Sequence, residues 1–315
     1  MVYLYLISGF ILLFLGSEAL INGSVSISKY FKIPAIIVGL TAIAFGTSAP
    51  ELAINVNASL KDSAAITFGN IMGSNMANIL FVMGIAALIY PIKVVKSCKK
   101  TELYFLLVGN GILYVMCFRT AILRFEGFLL LMLLFSYFFI MIRGIMLTLK
   151  ITEKQEEKIE EESERVNIVN AILLVITGSF LLAYGGNLFT EGAILVSKIW
   201  GISEALIAVT VVALGSSTPE LMTTIIASIK RQHGIAIGGI VGSNLFNVLG
   251  VLGISALIRP VEIEPSFLTI DIHFLLFATL MLYFVLRFFK SVNRYVGFML
   301  FSLYIIYIIM QLQFT

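Results

Sequence analysis

Residues 46–52 read GTSAPEL, and GSSTPEL stands at 215–221, 169 positions later. GSNMAN at 73–78 returns at the same offset as GSNLFN at 242–247. When 7–92 is laid on 176–261 without a gap, 34 of the 86 positions are identical. The chain therefore carries one plan twice, and whatever fold suits one copy must suit the other.

Composition decides the medium in which the two copies fold. Of the 315 residues, 59% are hydrophobic and 12% are charged, the latter about half the share of a soluble domain. Mean hydropathy is +1.03. A water-soluble core could not hide that much apolar surface, so the sequence reads as a polytopic membrane protein with the lipid bilayer as its solvent. Secreted disulfide frameworks, most cytosolic enzyme folds and nucleic-acid binders are excluded. Cys98 and Cys117 are the only cysteines, too few for a disulfide framework or a thiolate metal site.

A helix crosses the hydrocarbon core in about 20 apolar residues. Such runs predict ten spans, near 3–28, 34–60, 64–90, 102–118, 123–147, 167–197, 203–229, 234–258, 266–287 and 293–313. The first lacks a basic n-region and is too long for a cleavable signal peptide. Five spans per copy is an odd number, so the second copy enters the membrane from the opposite face. The expected fold is all-α, with ten transmembrane helices in two inverted five-helix repeats, an architecture of secondary transporters. The expected units are 1–148, a charged linker at 149–166 and 167–315. The linker holds seven Glu and four Lys or Arg, with several opposite charges three or four residues apart, as in a solvated helix. Loops after the odd-numbered spans hold 16 Lys and Arg and the opposite loops hold 5. The positive-inside rule then places the linker in the cytoplasm and both termini outside the cell membrane.

Glu51 and Glu220 lie deep inside spans 2 and 7 at matching places. An ionised carboxylate at that depth is costly and usually faces a polar cavity. A structural hydrogen bond would explain one such residue less improbably than two in repeated motifs. Pro50 and Pro219 precede them, and a proline within a helix cannot bond the carbonyl four residues back. The helices should loosen around 44–49 and 213–218, which membrane proteins tolerate where the backbone lines a cavity. Thr47, Ser48, Ser216 and Ser217 add hydroxyls. Span 3 brings Asn70, Ser74, Asn75 and Asn78, and span 8 brings Ser243, Asn244 and Asn247. The Gly-Ser-Asn runs could serve only small-residue helix packing, or they could supply more oxygen ligands. His233 is expected in a loop and His273 in a structural role. Without thiolate or imidazole, an all-oxygen donor set suits hard cations such as Ca²⁺ or Na⁺.

With both motif pairs present, the sequence resembles the calcium/cation antiporter superfamily, specifically the compact prokaryotic form of its sodium/calcium exchanger branch. The resemblance covers both halves, spans 1–3 and 6–8 most clearly. It implies that Glu51 and Glu220 bind Ca²⁺ with help from Thr47 and Ser216. It also implies flanking sodium sites at Ser74 and Ser243 with the Ala44 and Ala213 carbonyls, and Asn78 and Asn247 facing the centre. Spans 1 and 6 would slide across this core. The second repeat of such exchangers often has Asp where this chain has Asn247, so two carboxylates remain where three could stand. The expected function is Ca²⁺/Na⁺ antiport by alternating access, with no enzymatic activity and no cofactor. The alternative is antiport of Ca²⁺, or another divalent cation, against H⁺. A passive channel has no need of an internal inverted repeat, and an intramembrane enzyme would need a nucleophile, metal or cofactor motif that the sequence lacks.

Overall fold

The computed structural model describes residues 2–95, 100–153, 167–201 and 213–314. Helix α1 spans Val2–Tyr30. The next apolar run is broken: α2, Ala35–Thr47, and α3, Ala49–Leu60, meet at a 46° bend. Helix α4 covers Ala64–Ile89, followed by α5, Lys100–Met116, and α6, Arg124–Glu153. Helix α7 runs Ile168–Ile199, α8 is the short turn Ala213–Gly215, α9 is Thr218–Ile229 and α10 is His233–Ile258. Helices α11, Asp271–Phe288, and α12, Arg294–Phe314, end the chain. Among the described residues seven helices are long and apolar enough to cross a membrane, or eight if α2 and α3 form one span. The protein is thus an all-helical, multi-pass membrane protein.

Element boundaries repeat as the residues do. Adding 169 to the limits of α3 gives those of α9, and α4 maps likewise onto α10. Both long helices widen into a π turn at the same place, Ala77–Val82 and Phe246–Val251. Both α3 and α9 stop at a lysine followed by a left-handed residue, Asp62 with φ 62° and Arg231 with φ 59°. Both α4 and α10 stop ahead of a proline, where Tyr90 and Arg259 are extended, as the residue before proline prefers. Two short antiparallel ladders tie the copies together. Strand β1, Ile92–Lys93, pairs with β4, Ser291–Val292, and β2, Ala121–Ile122, pairs with β3, Val261–Glu262.

Most of α4 and nearly all of α10 are buried, while α1 and α7 lie outside them with much of their surface exposed. Phe10, Phe14, Leu173 and Phe180 are among the large apolar side chains on that outer surface, as lipid requires. α1 and α7 pack antiparallel along most of their length. The seam is glycine at seven-residue spacing: Gly9, Gly16 and Gly23 on α1, and Gly178, Gly185 and Gly192 on α7. A Cβ on any of the six would come within 2.5–2.9 Å of backbone atoms of the other helix. Small residues allow such approach, and dispersion and packing hold it.

Four boundaries differ from the sequence expectation. α6 continues through Glu153, past the expected start of the linker at 149, because its last turns extend beyond the apolar run. α11 begins at Asp271 rather than 266, since Pro265–Leu268 forms a separate 3₁₀ turn. His233 is the first residue of α10 rather than a loop residue, stacked against Tyr90 with ring centroids 6.2 Å apart. The apolar stretch of α5 is short, Thr101–Met116. Cys98, linker residues 154–166 and positions 203–212 of the expected seventh span lie outside the described residues.

Candidate ion site

The break between α2 and α3 creates a helix N-terminus in the interior. Ser48 sits at the corner with φ −87° and ψ 7°, and Pro50 and Glu51 occupy the first turn of α3. Proline suits that turn because the missing N–H has no intrahelical acceptor there. Backbone N–H groups of a first turn also lack helical partners and favour a negative charge nearby. The second copy repeats the arrangement, with Ser217 at φ −87° and ψ 5°, and Pro219 and Glu220 in the first turn of α9. Gly46 and Gly215 let α7 come close at both breaks, since a Cβ there would run into Ser179 Oγ at the first and stand 2.6 Å from the Thr190 side chain at the second.

Both carboxylates are buried, Glu51 at 1% exposure and Glu220 at 3%. Ser48 Oγ donates to Glu220 Oε1 at 3.2 Å. Among the described residues the other three carboxylate oxygens have no hydrogen-bond partner. The hydroxyls around them link the copies in matching pairs: Thr47 Oγ1 with Ser243 Oγ at 3.3 Å, and Ser216 Oγ with Ser74 Oγ at 3.3 Å. Ser74 Oγ also reaches Asn70 Oδ1 at 3.5 Å. The match then fails at the carboxylates, because among the described residues Ser217 Oγ has no partner where Ser48 has Glu220. Asn78 and Asn247 lie on the π turns of α4 and α10, wholly buried, with both amide atoms of each unpartnered among the described residues. α3 packs on the π turn of Asn247, and α9 packs on the π turn of Asn78.

The Ala44 carbonyl, expected as a free donor, accepts the Ser48 N–H at 3.0 Å and lies 3.4 Å from Thr47 Oγ1. Ala213 falls in the short helix α8. Sequence reasoning missed Asn55, which is wholly buried one turn past Glu51; its Nδ2 donates to the Glu51 carbonyl at 2.8 Å and its Oδ1 is unpartnered. The spacing 51, 55, 59 was the available signal. Asn187 and Glu191 were also outside the expected site. They line a cleft of about 440 Å³ between α7 and α3–α4, whose wall also includes Pro50, Asn70, Ser74 and Ser216.

Buried carboxylate, hydroxyl and amide oxygens at two helix breaks beside a cleft are what the ion site of a membrane transporter requires, and comparison with known proteins places the chain among transporters. The chain belongs to the sodium/calcium exchanger protein family, which matches residues 1–143 and 170–313. It is 31% identical over 310 residues to the membrane protein MJ0091 of Methanocaldococcus jannaschii, covering 96% of this chain and 95% of that one. The sodium/calcium exchanger MaX1 of Methanosarcina acetivorans is 26% identical, with 98% and 97% covered. A structure of the sodium-calcium exchanger NCX_Mj soaked with 10 mM Na⁺ and zero Ca²⁺ superposes with a TM-score of 0.81 at 30% identity, covering 97% of this chain and 98% of that one.

Proposed function

We propose that this protein is a secondary antiporter that exchanges Ca²⁺ for Na⁺ across the cell membrane by alternating access. The observation that carries the reading is the pair Glu51 and Glu220, buried together at two helix breaks with three of four carboxylate oxygens unpartnered among the described residues. Burying such oxygens is costly unless a cation completes their shell. Two carboxylates neutralise one Ca²⁺. Thr47, Ser48, Ser216, Ser217, Asn78 and Asn247 supply neutral oxygens around it, and Ser74 and Ser243, with the backbone at Ala44 and Ala213, supply flanking positions for Na⁺. Structures of NCX_Mj soaked with Na⁺ and Ca²⁺ or with Na⁺ and Sr²⁺ support the same ions for this relative.

In this reading ten spans form two inverted five-helix repeats, 1–148 and 167–315, joined by a cytoplasmic linker at 149–166. Both termini are outside, and the cleft at Asn187 and Glu191 opens outward. The test is ⁴⁵Ca²⁺ uptake into proteoliposomes under an imposed Na⁺ or H⁺ gradient. Uptake driven by an outward Na⁺ gradient is expected. Uptake driven by the pH gradient alone would replace Na⁺ with H⁺ as the counter-ion.

A further inference from the structure

The repeated block holds two potential clefts, and they are in opposite states. One, bounded by α7 and α3–α4, measures about 440 Å³. Its counterpart is a void of about 10 Å³ lined by Thr223, Ile235 and Gly239, which stand 169 positions after Ile54, Ile66 and Asn70 of the open cleft. On the closed side α1 lies against α9, and Ser17 Oγ is 3.5 Å from Thr223 Oγ1. Lys230, at the end of α9, fastens α1 there: its Nζ donates to the Glu18 carboxylate and, at 2.9 Å, to Asn22 Oδ1.

The open side carries the same parts unfastened. Lys61 ends α3 on a turn of the same shape, φ −93° and ψ 7° against −73° and 3° for Lys230. Asn187 and Glu191 stand where α1 has Glu18 and Asn22, one turn apart with acid and amide exchanged. Lys61 and Glu191 are exposed, and neither joins an ion pair among the described residues. We propose that Lys61 binds Glu191 and Asn187 when the open cleft shuts, as Lys230 binds Glu18 and Asn22 now, so that two alternating latches set the balance between the two access states. This rests on the antiport reading for its purpose, but its geometry does not depend on which ions are carried.

The test is the labelling rate of Ile66→Cys, an exposed position on the open cleft's wall, by an impermeant maleimide. The full chain is used in proteoliposomes, with Cys98→Ser and Cys117→Ala as background. A partly exposed ion pair shifts a two-state balance by about two- to five-fold. Lys230→Gln should slow labelling by up to that factor, and adding Lys61→Gln should return it toward the starting rate. Glu18→Gln should act as Lys230→Gln does while leaving the turn's sequence intact. Unchanged labelling in both Lys230→Gln and Glu18→Gln, or a slowing that Lys61→Gln does not reverse, would overturn the latches. ⁴⁵Ca²⁺ exchange by the same background protein reports separately on the ion assignment; its absence would sink the antiport reading and leave the labelling result to decide the latches.

Discussion

At the scale of single residues, the carboxylates are held without being satisfied. Glu51 receives a favourable field from the first turn of α3, while among the described residues neither of its oxygens has a hydrogen-bond partner. Glu51→Gln and Glu220→Gln keep the shape and remove one of the two charges that offset a divalent ion. Each should cost about 2–4 kcal/mol in Ca²⁺ binding, a loss of about 30-fold or more, with the protein still eluting as a folded species. ⁴⁵Ca²⁺ exchange and size-exclusion profiles measure the two halves of that claim, and Glu51→Gln transporting at the wild-type rate would withdraw the site. Asn247→Asp tests the neutral centre. A third carboxylate beside two others makes protons compete with the cation, so exchange should climb more steeply between about pH 5.5 and 8.5 than in the parent protein. Superimposable profiles would remove Asn247 from the ions' surroundings. Glu51, Glu220 and their serines and threonines were legible because charge inside an apolar run is rare and here occurs twice. Asn55 was not, since an amide in a helix carries no such penalty signal, and only the fold shows it buried beside the site.

At the scale of elements, the sequence could locate the helix breaks but not their bend. Proline after a Gly-hydroxyl stretch marks where the ladder fails; the 46° angle between α2 and α3 comes from what packs on either side. The π turns at Ala77–Val82 and Phe246–Val251 left no mark on the apolar periodicity, and they carry Asn78 and Asn247. The glycine seam was readable as identities between the copies, though not as contact, because a seven-residue spacing says which face is small and not what lies against it. Gly178→Val would drive side-chain atoms into α1, where a Cβ alone already stands 2.6 Å from Leu20 N. Overpacking of this kind costs about 1–3 kcal/mol, and a lower unfolding temperature in detergent should report it. Gly111→Ala in α5, where an added Cβ meets nothing within 4 Å, should leave the transition unmoved or slightly raised.

At the scale of the whole molecule, sidedness is the property that links sequence to direction of transport. The proposed orientation puts the basic loops inside, so an impermeant thiol reagent added to intact cells should leave Cys98 unlabelled, while inverted vesicles should expose it. Cys117 is wholly buried and adds no background. Labelling of Cys98 from outside would reverse every inside and outside assigned to the clefts. The glycine seam bears on how tightly such a protein can hold a gradient. Packed backbone to backbone at six glycines, α1 and α7 would travel in the proposed antiport cycle as one bar and not as two independent pistons. Leaning on α9, as it does here, the bar leaves the cleft beside α3 open; in the proposed cycle, leaning on α3 would open the other. On the antiport reading both doorways then could not stand ajar at once, and an uncoupled leak of ions would have no conformation through which to run.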